Sequence, residues 1–269
     1  MGQLTVLADF DRTLTSFRLP NGKVGTSSHG LVERSGLLSE EFHKLTHALY
    51  EKYYPLEISH SLSHDEKVLK MEEWWSQAHD LLIKEHVTRE KITKMVAVSE
   101  DLHFRDGCAD LLRLCDDHGA PVLVFSAGLG DLVVEALKQH LPDAPFPHVV
   151  SNFMEFDEAT GVITGFRGPN IHALNKGEFD TKSHSEFADA VEGKTHALLL
   201  GDNCGDVHMS VSLKLPEANV LNVGFLNDNV DARIDEYTSK FDLVLLDDGD
   251  MTPVLDLLRD IQAAHAKTS

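Results

Sequence analysis

Cysteine is scarce: three thiols, Cys108, Cys115 and Cys204, in 269 residues. They form no CxxC pair and leave one over, which argues against a disulfide scaffold or a structural zinc site and fits a reducing compartment, so a cytoplasmic location is expected. Positive charge is short as well. Twenty-four Lys and Arg stand against 44 Asp and Glu, a formal net charge of -20. A nucleic-acid polymer, whose binding draws on cations that neutralise phosphates, is therefore not an expected partner. No apolar run approaches the ~20 residues that span a bilayer, and no membrane partner is expected. Met1-Gly2-Gln3 leads straight into an apolar strand, so no signal peptide is expected. The chain also lacks internal repeats and low-complexity stretches. What remains is a globular chain long enough for one large α/β domain or a core with an insertion.

What is present begins at the first strand. The run Leu4-Thr5-Val6-Leu7-Ala8 drives into Asp9-Phe10-Asp11-Arg12-Thr13-Leu14-Thr15. Side chains alternate along a strand, so Asp9 and Asp11 point the same way and repel unless a cation lies between them. From Ser16 to Phe104 the pattern turns helical, without a convincing strand. Ser39 precedes the stripe Phe42, Leu45, Leu49 and Tyr53; Ser63-His64-Asp65-Glu66 reads as a capping box; Thr88 caps a third helix through Ile92, Met95 and Val96. Trp74 and Trp75 are adjacent, about 100° apart on a helix, so one is expected to pack and the other to stay available for stacking.

From Gly107 onward helices and short apolar strands alternate. Strands are predicted at Pro121–Phe125, His148–Val150, Ala197–Leu200, Asn219–Val223 and Leu243–Leu246, with a hairpin around 157–161. Continuous apolar strands separated by helices imply a doubly wound parallel sheet covered on both faces. Ligands of such sheets bind outside the carboxyl ends of the strands. Three of those ends carry polar residues: Asp9 and Asp11; Ser126-Ala127-Gly128, opening a helix whose N–H groups suit an anion; and Gly201-Asp202-Asn203-Cys204-Gly205-Asp206. Converging carboxylates need a cation, and oxygen-only ligands favour Mg²⁺. Lys176 lies between the second and third ends in sequence and can complete a phosphate clamp, although a lone lysine is usually solvated. Cys204 as a nucleophile lacks a histidine base, and no HxxxH or HExxH pair falls at these strand ends to suggest zinc.

This ordered set resembles the haloacid dehalogenase-like phosphohydrolases, with Asp-x-Asp-x-Thr, a Ser, a Lys and Gly-Asp-x-x-x-Asp in the family's order. Longer stretches narrow the resemblance: Lys52-Tyr53-Tyr54-Pro55-Leu56-Glu57, Glu73-Trp74-Trp75-Ser76-Gln77-Ala78-His79, Phe125 to Asp131, Val150-Ser151-Asn152-Phe153-Met154 and Gly224-Phe225-Leu226-Asn227-Asp228 look like the cytosolic 5′-nucleotidase III family over nearly the whole chain. The resemblance implies a phosphohydrolase core of residues 1–15 and 105–269 with an inserted helical cap of residues 16–104. It implies a Mg²⁺-dependent hydrolase acting on nucleoside 5′-monophosphates, a small-molecule substrate, through an aspartyl-phosphate, and a monomer is expected. Asp9 would be nucleophile and Asp11 acid/base; the Asp9 carboxylate, the Asp11 carbonyl and Asp202 would hold the metal, with Asp206 either a ligand or an orienting group. Ser126, Ala127 and Lys176 would bind phosphate, Glu57 the base edge and Trp75 the base face. Trp75 and Ala78 follow the branch acting on 7-methylguanosine monophosphate, which also takes pyrimidine monophosphates. Arg12 stands where the family usually has Met, and the segment Arg18 to Glu33 departs from the vertebrate pattern. Two readings stay open beside this one: a general small-metabolite phosphatase in which Glu57 and Trp75 only pack, and a nucleotide-binding protein without turnover.

Overall fold

A computed structural model describes residues 1–59, 61–178 and 185–266. Its centre is a six-stranded parallel sheet in the order β3-β2-β1-β6-β7-β8. The strands are β1 (Leu4–Ala8), β2 (Val122–Leu129), β3 (His148–Asn152), β6 (His196–Gly201), β7 (Val220–Leu226) and β8 (Leu243–Leu246). An antiparallel hairpin of β4 (Met154–Phe156) and β5 (Ile163–Phe166) follows β3. All five residues of β1 are buried. Val6 and Ala8 pack into one apolar cluster and Leu7 into the other, so the strand is covered on both faces, as its unbroken apolar run requires.

Register decides where the polar ends meet. Ala8 pairs with Val124 on one side and Leu200 on the other, and the Asp9 amide donates to the Leu200 carbonyl at 2.9 Å. Asp9 and Asp202 therefore leave adjacent strands on one rim, beside Ser126 of β2. β2 runs past the predicted Phe125 to Leu129, with a register irregularity between those two residues. Such an irregularity re-aims side chains at the end of a strand.

Between β1 and β2 the described residues form α1 (Ser28–Arg34), α2 (Glu40–Glu57), α3 (His64–Lys84) and α4 (Arg89–Ala97), then α5 (Cys108–Asp117). The sequence signals act as expected. Ser39 accepts from the Phe42 amide, Ser63 and Glu66 form a reciprocal capping box, and Thr88 accepts from the Lys91 amide. α6 (Gly130–His140), α7 (Ser185–Ala190), α8 (Val230–Thr238) and α9 (Thr252–Ala266) complete the chain. No helix among the described residues is long and apolar enough to cross a membrane.

Candidate active site

Three carboxylates and one ammonium form the centre. Oxygens of Asp9, Asp202 and Asp206 lie within 4.8 Å of one another. Lys176, only 3% exposed, places Nζ 2.5 Å from Asp9 Oδ1 and 2.8 Å from Asp206 Oδ1. The solvated lysine that a lone sequence position suggests is thus a buried counter-ion. Burial pushes the Asp9 carboxyl up to about 7, against the pull of Lys176 and with a further push from Asp206 and Asp11. Asp202 is raised well above the carboxylate range by burial, then by Asp9 and Asp206. Burial disfavours the Lys176 charge, but Asp206 and Asp9 outweigh it and hold the ammonium protonated. One ammonium does not balance three carboxylates. The donor set is all oxygen, and a hard divalent cation fits it.

The glycines of this rim permit close approach. A Cβ on Gly201 would lie 2.5 Å from the Asp206 Cβ, so the turn from β6 can fold Asp206 back over the strand end only with glycine there. Asp206 is then fixed from both sides, since its Oδ2 accepts from the Asn203 amide at 2.9 Å. Burial, then Glu236, lifts the thiol of half-buried Cys204 in the same turn to about 12, which disfavours the thiolate a nucleophile needs.

Asp11 does not join the trio. Its carboxylate turns to α1, where Oδ1 accepts from the Ser28 amide and Oδ2 from the Ser28 hydroxyl, each at 2.7 Å. Ser126, 1% exposed, accepts from the Gly128 amide at 3.0 Å. The end of β2, residues 126–129, hangs from Asn152, whose Nδ2 donates to the carbonyls of Ala127 and Gly128 at 2.9 and 3.1 Å.

Beside this rim lies a cavity of about 400 Å³ walled by Arg12, His29, Tyr50, Trp74, Trp75, Ala78 and Leu129, among others. Trp75 joins the two regions, because its indole Nε1 donates to the Ala127 carbonyl at 3.1 Å. Both tryptophans face the cavity, where the helical spacing suggested one; Trp74 also stacks on Tyr53 with centroids 5.9 Å apart. Glu57 is half-buried and not part of the cavity wall. Burial raises its carboxyl, with Lys67 opposing, and its charge acts on Tyr50 of that wall.

Four contributors carry no signal in the sequence. Arg105, 2% exposed, donates to the carbonyls of Arg12 and Thr13 at 2.7 and 2.9 Å and pairs with Asp248 Oδ1 at 3.0 Å. It holds the turn after Asp9, in which Arg12 takes the left-handed φ of 66°. Asp248 in turn accepts from the amides of Phe17 and Arg18. Ser28 and His29 sit between the motifs, at the start of α1. A lone arginine, aspartate, serine or histidine between motifs has no periodicity to mark it.

Comparison with known proteins identifies the family. Residues 12–262 match the pyrimidine 5′-nucleotidase (UMPH-1) family. The 7-methylguanosine phosphate-specific 5′-nucleotidase of Homo sapiens is 37% identical over 259 residues, covering 96% of this chain and 85% of that protein. The crystal structure of cytosolic 5′-nucleotidase IIIB bound to cytidine superposes with a TM-score of 0.81 at 34% identity, over 99% of this chain and 88% of that one. A phosphoserine phosphatase shares the fold at 17% identity, with a TM-score of 0.52 over 95% of this chain and 98% of the other. The chain belongs to the pyrimidine 5′-nucleotidase (UMPH-1) family, on a haloacid dehalogenase-like fold, and is a 5′-nucleotidase.

Proposed function

We propose that the chain hydrolyses 7-methylguanosine 5′-monophosphate, CMP and UMP to nucleoside and phosphate, in a Mg²⁺-dependent reaction through an aspartyl-phosphate. The observation that carries this is the joining of a carboxylate trio and its buried Lys176 to an aromatic cavity through the Trp75–Ala127 hydrogen bond. Residues 1–15 and 105–269 act as the core, and residues 16–104 cap the leaving group.

Asp9 attacks phosphorus and the bond to the nucleoside 5′ oxygen breaks; that oxygen takes a proton from Asp11. Asp11, now a carboxylate, takes a proton from water, whose oxygen attacks phosphorus and frees Asp9 and phosphate. The Asp9 carboxylate, the Asp11 carbonyl and Asp202 would hold Mg²⁺, and Asp206 orients Lys176 beside them. Bound there, the ion offsets repulsion between the nucleophile and the phosphate dianion. Ser126, the Ala127 N–H and Lys176 bind the phosphate oxygens. Trp75 stacks on the base; Glu57, outside the cavity wall and acting on Tyr50 of it, is the expected acceptor for an exocyclic amino group or ring N–H.

The substrate of the human relative is 7-methylguanosine phosphate by its name, and the solved relative holds cytidine. Trp75 and Ala78 line the cavity together, a wide indole face beside a small side chain, which favours a methylated purine. Phosphate release from CMP, UMP, AMP, GMP and 7-methyl-GMP, with and without Mg²⁺, tests the proposal. Turnover of 7-methyl-GMP and the pyrimidine nucleotides only with the metal is expected. Equal rates on all five and on sugar phosphates would instead support the general phosphatase, whose cavity residues only pack.

A further inference from the structure

Ser28 is fully buried, and no step above uses it. It holds both oxygens of Asp11 at once, the amide on Oδ1 and the hydroxyl on Oδ2, each at 2.7 Å. The same hydroxyl lies against the last residues of β2. A Cβ on Gly128 would come within 1.9 Å of the Ser28 Oγ, so the serine fits there only because that residue is glycine. The next residue, His29, meets Trp75 edge-on, with ring centroids 5.8 Å apart. Ser28 thus stands where Asp11, the end of β2 and the cavity wall converge.

The two donors differ in kind. A backbone N–H can only donate, so Oδ1 is an acceptor in either protonation state of Asp11. A hydroxyl can donate to a carboxylate and, after rotating, accept from a carboxylic acid. Oδ2 can therefore gain or lose a proton without losing its partner, while Oδ1 cannot. We infer that Ser28 is a positioning residue for the proton transfers of Asp11: its hydroxyl places the mobile proton on Oδ2 and keeps that oxygen paired as the proton comes and goes. This rests on the proposed acid/base role of Asp11.

The test compares CMP with its analogue carrying sulfur in place of the 5′ bridging oxygen. The analogue keeps the base and ribose contacts but departs as a thiolate, which needs little help from an acid. The value of kcat/KM reports only steps through the first irreversible one, so the ratio of the two substrates isolates proton donation. Ser28→Ala removes the hydroxyl and keeps the amide donor. It should lower the CMP-to-analogue ratio about tenfold. Ser28→Cys, which keeps the side chain's shape with a weak donor, should lower it in the same direction and serves if the alanine variant folds poorly. An unchanged ratio in both variants overturns the inference, whatever the absolute losses, because a packing defect slows both substrates alike. Asp11→Asn in the same assay separates the two layers. If that variant leaves the ratio unchanged, the acid role itself fails; if it lowers the ratio while the Ser28 variants do not, only the role of Ser28 fails.

Discussion

The strand-end centre and the helical wall beside it are built on opposite principles. At the strand ends, charged groups are buried and each is fixed by short directional contacts: Lys176 between Asp9 and Asp206, Asp206 by the Asn203 amide, Asp11 by Ser28. The cavity wall is mostly aromatic and apolar, and its rings, from α1, α2 and α3, meet edge to face. Directional charge contacts tolerate little displacement, because a carboxylate left unpaired in a buried site is costly. Rings in contact tolerate more, because contact area changes slowly as they slide. The difference fits the proposed function, with chemistry in the first region and choice of substrate in the second. Substitutions in the two should therefore fail in different ways.

The largest effect is expected at Asp9. Asp9→Asn removes the proposed nucleophile and should lower kcat by roughly a thousandfold or more, with substrate binding retained and measurable by calorimetry. The amide also relieves the repulsion from Asp202 and Asp206, so thermal stability should not fall. A variant with more than about a thousandth of wild-type activity would remove Asp9 from the role and weaken the division between the regions.

The same division sets what could be read from the sequence. The positions of Asp9 and Asp202 were legible because each directly follows an apolar strand, and that of Ser126 because it follows the apolar run Val122–Phe125; parallel register brings these to one rim. The caps of α2, α3 and α4 were legible because capping is local in sequence. Arg105 and Asp248 were not. Their bonds to the Arg12 and Thr13 carbonyls and to the Phe17 and Arg18 amides join residues 92 or more positions apart, and no spacing rule reaches that far. The turn of the Asp11 carboxylate toward Ser28 was equally hidden, since alternation along a strand fixes direction only while the strand continues, and β1 stops at Ala8. In the cavity, the adjacency of Trp74 and Trp75 was plain. That both face the same space depends on how α1, α2 and α3 pack.

A smaller and more selective effect is expected at Trp75. Stacking on a base contributes ~1 to 3 kcal/mol, and a cationic methylated purine adds a cation–π component. Trp75→Ala should lower kcat/KM for 7-methyl-GMP about tenfold and for CMP less. The indole also donates to the Ala127 carbonyl, so a loss through the end of β2 would strike both substrates alike. Trp75→Phe separates the two contributions, because it keeps a ring and removes the N–H. Equal losses on both nucleotides in both variants would make Trp75 a brace of the strand end rather than a base platform, and the two regions would then share one task.

The smallest effect concerns stability rather than turnover. His79 of α3 stacks on Phe166 of β5 with ring centroids 3.6 Å apart, and its Nε2 is buried without a hydrogen-bond partner. Burial, then the nearby His29, lowers its pKa from 6.5 to about 3. The unfolded chain takes up a proton as pH falls through 6.5, whereas the folded chain refuses it until about 3. Its contribution is therefore complete above 6.5 and is lost as pH falls below that value, by about 1.4 kcal/mol per pH unit at most. His79→Phe keeps an aromatic ring against Phe166 and removes the proton site. Urea unfolding at pH 7 and pH 5 should show the wild type losing more stability than this variant between the two. Equal losses would assign the acid sensitivity to other buried histidines, of which His172, lowered by burial to about 4, touches Trp75 from the core side. The helical wall would then be held at low pH through its contact with the strand-end region rather than through its contact with the hairpin.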